Sequence, residues 1–185
     1  MEYYISNSWK GLHSETCILR TIFGLLMWDI IFQPVPGVFS CPFQTSPLDI
    51  DTPFFYAARE PEIIARINSI KGGLAMELIR SVYHRHHRVQ CRDVTWFPLE
   101  TIIEIVKCMS PAALSGIVSI QAKTHWAYSS GGPDLVIWNP DTCQLRMIEV
   151  KSANDTLSDN QHVWLATLAS FGVDTLVLNI KPRTT

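Results

Sequence analysis

Two short apolar runs late in the chain, residues 135–138 and 145–151, flank Asn139-Pro140-Asp141-Thr142, whose residue types end a strand and begin a turn. The spacing predicts a hairpin, and a hairpin dictates where three charged side chains go. Asp134 heads the first strand behind Gly132-Pro133, while Glu149 and Lys151 end the second. Side chains alternate along a strand, so Glu149 and Lys151 share one face, and Val150 is expected to point the other way, into the core. Two carboxylates at one strand edge repel each other and hold a proton unless a positive charge sits between them. A divalent cation is the simplest such charge. Mg²⁺ and Mn²⁺ take oxygen ligands and keep water in their remaining positions, which suits phosphodiester hydrolysis. Blander readings exist: Asp134 as a turn residue, and Glu149 with Lys151 as a solvated cross-strand ion pair. The coincidence of all three at one edge of an apolar strand favours a cleft.

Elsewhere the period is helical. Residues 12–28 read as one helix, apolar on almost every side and therefore buried among other elements. Glu15 falls near its start, where the helix dipole favours an acid and where capping is its ordinary role. Six prolines between residues 34 and 61 break regular structure and make a long connection with short turns. Helices are expected over 62–70 and 76–84, separated by Gly72-Gly73, then over 99–108 and 111–119. After the hairpin, Ser158 is suited to cap a helix over 159–171 that Gly172 stops. A strand over 176–180 completes a strand, helix, strand crossover, and residues 181–185 read as a frayed tail.

At 185 residues and 47% hydrophobic content the chain has material for one sizeable core, so one domain over 1–185 is expected. A formal charge of −2 excludes a generally basic nucleic-acid coat. Basic charge is uneven, however: residues 71–92 hold five Lys and Arg against the single Glu77. Within them, His84-Arg85-His86-His87-Arg88 lacks the i, i+4 spacing of a helical zinc pair and has no suitably spaced cysteine. Arg85 and Arg88 are instead candidates for contact with phosphates, a solvated basic face being the plain alternative. Five scattered cysteines without a CxxC pair fit reduced thiols better than a disulfide frame. The apolar run over 18–32 is short of the ~20 residues a bilayer needs and carries Arg20 and Asp29, so a buried helix is expected and no membrane partner.

Asp134, fourteen residues, then Glu149-x-Lys151, with Pro133 in the lead, resembles the PD-(D/E)xK nuclease signature. The following Ser152-Ala153-Asn154-Asp155-Thr156-Leu157-Ser158-Asp159-Asn160-Gln161-His162-Val163-Trp164-Leu165 resembles the VRR-NUC version of that motif. Upstream, Gly11-Leu12-His13-Ser14-Glu15 and residues 25–32 are similar to the segment that opens this domain in the Fanconi-associated nucleases. The resemblance spans about Trp9 to Ile180. It implies an α/β, restriction-endonuclease-like core: a small mixed sheet flanked by helices, a mainly helical part over 9–130 and a catalytic strand-turn-strand-helix-strand part over 131–180. It also implies that Glu15 joins Asp134, Glu149 and the backbone carbonyl of Val150 around Mg²⁺ or Mn²⁺. Lys151 would orient the attacking water, with Gln161 near metal and substrate. His13 reads as structural, since these ions prefer oxygen.

Members of that family are nuclear nucleases that incise branched and 5′-flap DNA, trim it from 5′ to 3′ and act in interstrand cross-link repair. DNA, a DNA-repair protein partner and the nucleus are the corresponding expectations. Two departures from the pattern stand out. Thr156 and Asn160 occupy places where relatives often carry basic residues that grip a terminal phosphate. The chain also begins almost at the nuclease domain, so either it is a fragment or shortened product, or a partner supplies DNA affinity. The competing classes are a non-catalytic DNA-binding module on a nuclease scaffold and a dimeric junction-resolving nuclease.

Overall fold

The computed structural model describes residues 8–180; the tail expected over 181–185 lies outside the described residues. Strand β1 (Lys10–His13) is followed by helices α1 (Cys17–Leu26), α2 (Trp28–Ile31), α3 (Pro53–Ala57), α4 (Glu60–Lys71), α5 (Ala75–His86), α6 (Leu99–Lys107) and α7 (Pro111–Lys123). A 3-10 turn (His125–Tyr128) leads to β2 (Leu135–Asn139), β3 (Gln144–Ser152), α8 (Asp159–Ser170) and β4 (Asp174–Ile180).

The predicted hairpin forms in antiparallel register, with Val136 opposite Met147 and Trp138 opposite Leu145. The crossover forms too, since α8 returns the chain to lay β4 parallel to β3. Sequence reading missed β1, which pairs antiparallel with β2 and makes the sheet order β1-β2-β3-β4. Residues 12–28 are therefore not one helix. Lys10 to His13 pair with the hairpin, and Glu15 and Thr16 adopt left-handed backbone conformations, φ +41° and +74°, which postpone the helix to Cys17. Glu15 accordingly lies outside the first helical turn. The rest of the reading of α1 holds: Ile18, Leu19, Ile22, Phe23, Leu25 and Leu26 are all buried.

One face of the sheet, carrying Val136, Trp138, Leu145 and Met147, joins the helices in a single core with α1, α4, α6 and α7. Alternation from Leu145 and Met147 puts Glu149 and Lys151 on this same face. They are 1% and 7% exposed, whereas Val150 is half-buried on the other face. This reverses the expectation that Val150 enters the core while its charged neighbours face a cleft. The reason is tertiary: the helical core packs on the Leu145/Met147 face, while on the other face, where Ile137 and Ile148 are buried, the β4 residues Leu176, Leu178 and Ile180 are exposed. The proline-rich connection is fastened by Arg59, which is fully buried; its guanidinium donates to Asp49 and to the carbonyls of Ile30 and Phe55. Among the described residues no single helix is long and apolar enough to cross a membrane.

Candidate functional site

Three of the sequence-predicted residues meet where β2 leaves its turn and β3 ends. The Asp134 Oδ2 accepts a hydrogen bond of 2.8 Å from the backbone N–H of Val150, which docks this carboxylate against the strand carrying Glu149. Glu149 Oε1 accepts from the Lys151 ammonium at 3.0 Å and from the Gln161 amide. The other oxygen of the same carboxylate, Oε2, is buried without a hydrogen-bond partner. Lys151 also donates to Gln161 Oε1 at 3.0 Å. Its hydrogen bond to Glu149 raises the Lys151 pKa above the ordinary lysine value against the opposing effect of burial, so the group is an ammonium at neutral pH.

Gln161 is held by helix capping. Ser158 caps α8 through its hydroxyl, and the Gln161 Oε1 accepts from the Ser158 N–H at 2.9 Å, which closes a capping box. The same oxygen thus serves the helix and Lys151 while the amide nitrogen serves Glu149. Asp134 is fixed by its approach: Ser14 N–H donates to the Asp134 carbonyl at 2.7 Å, and the Gly132 N–H donates to Thr16 Oγ1 at 2.7 Å. Gly131 has φ +80°, and a Cβ there would stand 2.6 Å from the Asn160 side chain; at Gly132 it would stand 2.8 Å from Thr16 Oγ1. Both glycines are needed for close approach. Behind them, the Trp164 indole donates to the Ser130 carbonyl and Tyr128 packs edge-on against Trp164.

A cavity of about 330 Å³ opens in front, with Glu15, Thr16, Asp134 and Gln161 in its wall. Glu15 is thus on the rim of the site, but its side chain is 67% exposed and turns toward His13 at 3.6 Å. Among the described residues no group of three or more His, Cys, Asp and Glu side chains is gathered as a ready metal cluster. Arg85, in the last turn of α5, and Arg88, just past its end, are exposed, and neither lines the cavity beside Asp134. The VRR-NUC domain family matches residues 70–182, well over half of the 185 residues.

The chain belongs to the VRR-NUC family.

Its matched relatives include a Fanconi-associated nuclease 1 homologue of Schizosaccharomyces pombe, 40% identical over 183 residues that cover 97% of this chain and 26% of that protein. A homologue of Arabidopsis thaliana is 36% identical over 98% of this chain and 21% of its own length. Among solved structures, paFAN1 bound to DNA with a two-nucleotide 5′ flap and a gap superposes with a TM-score of 0.91 at 25% identity, covering all of this chain and 34% of that one. This VRR-NUC chain therefore spans about a quarter of the curated relatives it matches. The likeness bears out the restriction-endonuclease-like reading of the fold and carries with it the use of a divalent metal ion.

The residues here fit such an ion. Glu149 Oε2 is an anionic oxygen stripped of water and without a donor, an arrangement that is costly unless a cation approaches it. The Asp134 carboxylate is beside it across Val150, and hard oxygens suit Mg²⁺ or Mn²⁺.

The VRR-NUC chain also holds a charged cluster that the sequence did not announce. His125 is buried at the start of the 3-10 turn; its Nδ1 is 2.7 Å from Asp51 and its Nε2 3.2 Å from Asp93. Arg20 donates to Asp93 and to the Arg92 carbonyl, and Arg92 pairs with Asp51. The cluster ties α1, the loop at 91–95 and the turn leading to Asp134 into one unit. Its members are up to 105 positions apart, from Arg20 to His125, and share no motif. Nothing local in the sequence signals it.

Proposed function

We propose that this chain is the metal-dependent nuclease unit of a structure-specific DNA repair enzyme, hydrolysing phosphodiester bonds in branched DNA, with 5′ flaps cut endonucleolytically and ends trimmed from 5′ to 3′. The single observation that carries the reading is the buried, unpartnered Glu149 Oε2 beside Asp134 and Lys151. That oxygen is open to a cation beside a second carboxylate and an ammonium, which is the arrangement that metal-assisted hydrolysis uses.

In this reading Asp134, Glu149 and the Val150 carbonyl hold Mg²⁺ or Mn²⁺, and Glu15 joins them by turning from His13 into the cavity it already lines. The bound ion supplies polarisation of the phosphate and acidification of a water. Lys151, paired with Glu149 as an ammonium, donates to the water or to the oxygen that gains charge. Gln161 keeps that ammonium and Glu149 in register. Arg85 and Arg88 contact phosphates of DNA further from the scissile bond. The relatives' names and the flap-bound paFAN1 structure support DNA repair at interstrand cross-links, with which a nuclear location and a DNA-repair protein partner would be consistent.

The test is cleavage of an end-labelled 5′-flap substrate with Mg²⁺ or Mn²⁺ by wild type and by Asp134→Asn, which keeps an acceptor for Val150 N–H. Loss of cleavage with retained unfolding temperature is expected. An Asp134→Asn protein that cuts at the wild-type rate would remove the assignment.

A further inference from the structure

A cavity of about 580 Å³ has Trp28, Phe32, Phe39 and Phe43 in its walls and none of the site carboxylates among its lining residues. Its walls are flat: Trp28 stacks on His86 with centroids 4.8 Å apart and planes 20° apart, and Phe32 stacks on Phe39 at the same angle. Phe43, on the rim, is 89% exposed. A ring so exposed contributes little to folding, yet its loop is not loose. Gln44 donates to the carbonyls of Val38 and Ser46 and accepts from Ser40, and the Thr45 carbonyl accepts from Arg92 N–H. The aromatic rim is therefore presented rather than merely uncovered.

Charge decides what fits. A second cavity shares Thr45 and Gln90 with this one and continues the groove to Arg88 and Arg92. Arg85 and Arg88 are exposed and have no carboxylate partner among the described residues, in a chain whose formal charge is −2. Arg85 also acts with burial to lower the pKa of His86 in the cavity wall, which leaves that ring neutral and stackable. Beyond that cavity, Arg20 donates to the Arg92 carbonyl and stands one turn along α1 from Thr16 at the candidate metal site.

We propose that this cavity is a nucleobase pocket: it takes an unpaired base of the DNA strand between its aromatic walls while Arg85 and Arg88 neutralise the adjoining phosphates. The proposal rests on the DNA-cleaving reading and adds to it a site that grips a single-stranded portion of the substrate. Flat aromatic faces beside unpaired guanidinium groups are what stacking and backbone neutralisation require, and the volume is in the ordinary range for a small-ligand pocket. An apolar peptide would use the walls and leave the two arginines without a role.

Two labelled single-stranded decamers decide it, one of thymidine and one of abasic sugars with the same phosphates, titrated into the whole chain at low salt with EDTA and followed by fluorescence anisotropy. The thymidine strand is expected to bind about tenfold tighter, in line with the stacking of one base. Phe43→Ala should bring the ratio close to one and leave abasic binding and unfolding temperature unchanged. Arg88→Ala should weaken both strands by the same factor. A thymidine strand carrying 5-iodouracil should cross-link at Trp28, Phe39 or Phe43. Equal affinity for the two strands, a ratio that survives Phe43→Ala, or cross-links elsewhere would overturn the pocket and leave flap cleavage through Asp134 standing. Absence of binding to either strand would overturn the pocket as well, while cleavage of the 5′-flap substrate by the wild-type chain separates that failure from a failure of the DNA-cleaving reading.

Discussion

Replacing Gln161 with glutamate puts the geometry around Glu149 under direct strain. The substitution keeps an oxygen to accept from Lys151 and from Ser158 N–H, but it exchanges the amide that donates to Glu149 for a second carboxylate. Two such charges ~4 Å apart at an effective dielectric of ~20 repel by about 4 kcal/mol. At roughly 2–4 °C per kcal/mol for a domain of this size, the unfolding temperature should fall by about 8–16 °C near neutral pH. The Lys151 ammonium, shared between the two side chains, offsets part of this and puts the expectation at the lower end. The sign with pH follows from proton binding. A crowded pair of carboxylates binds a proton more tightly than the same groups in the unfolded chain, so the folded variant carries the extra proton and the destabilisation fades as pH falls. Thermal unfolding by circular dichroism at about pH 7.5 and about pH 5.5, beside wild type, reads this directly. Saturating Mn²⁺ should restore stability to the variant more than it stabilises wild type, because a cation relieves the same repulsion. Gln161→Ala is the control: it opens the capping box and removes the contacts to Glu149 and Lys151, with a loss of about 1–3 kcal/mol, but it adds no charge and so lacks the recovery at lower pH. A Gln161→Glu protein as stable as wild type at both pH values would refute the contact between Gln161 and Glu149.

Gly131→Ala forces a side chain onto a residue with φ +80° and within 2.6 Å of Asn160, so a loss of more than ~1 kcal/mol in urea unfolding and a sharp drop in flap cleavage are expected. Unchanged stability would mean that the loop before Asp134 is not held as described. The buried cluster gives an acid-side prediction. Burial works to raise the Asp93 pKa, but His125 and Arg20 hold it below its ordinary 3.8, and Arg92 with His125 do the same for Asp51. Both groups therefore stabilise the fold above the unfolded value, and that contribution disappears as pH falls below about 3.8. Asp93→Asn should be less stable than wild type near neutrality and lose stability less steeply in that acid window; equal slopes would exclude Asp93 as a source of acid sensitivity.

How much was legible in the sequence follows the range of the interaction. The hairpin, its turn, the cap at Ser158 and the crossover through α8 rest on neighbours within a few residues, and they formed where spacing and turn chemistry required. The family resemblance pointed to Asp134, Glu149, Lys151 and Gln161, and the fold gathers these four. What misled was the face of β3. Alternation told which residues share a side, but whether that side is wet depends on where α1, α6 and α7 pack, which no period in 144–152 encodes. Glu15 was misplaced for a similar reason, because its backbone answers to a carbonyl over a hundred positions away, that of Asp134.

By itself, then, the order of residues determined the local elements and the identity of the charged groups, since these depend on backbone preference and side-chain alternation. Only the tertiary structure decided that Lys151 and Glu149 are buried together with one oxygen left open, that His125 sits between Asp51 and Asp93, and that four aromatic rings line one cavity next to a second one that holds the exposed Arg88. Those outcomes are set by which distant surfaces exclude water from one another, and the exclusion exists only once the chain has packed.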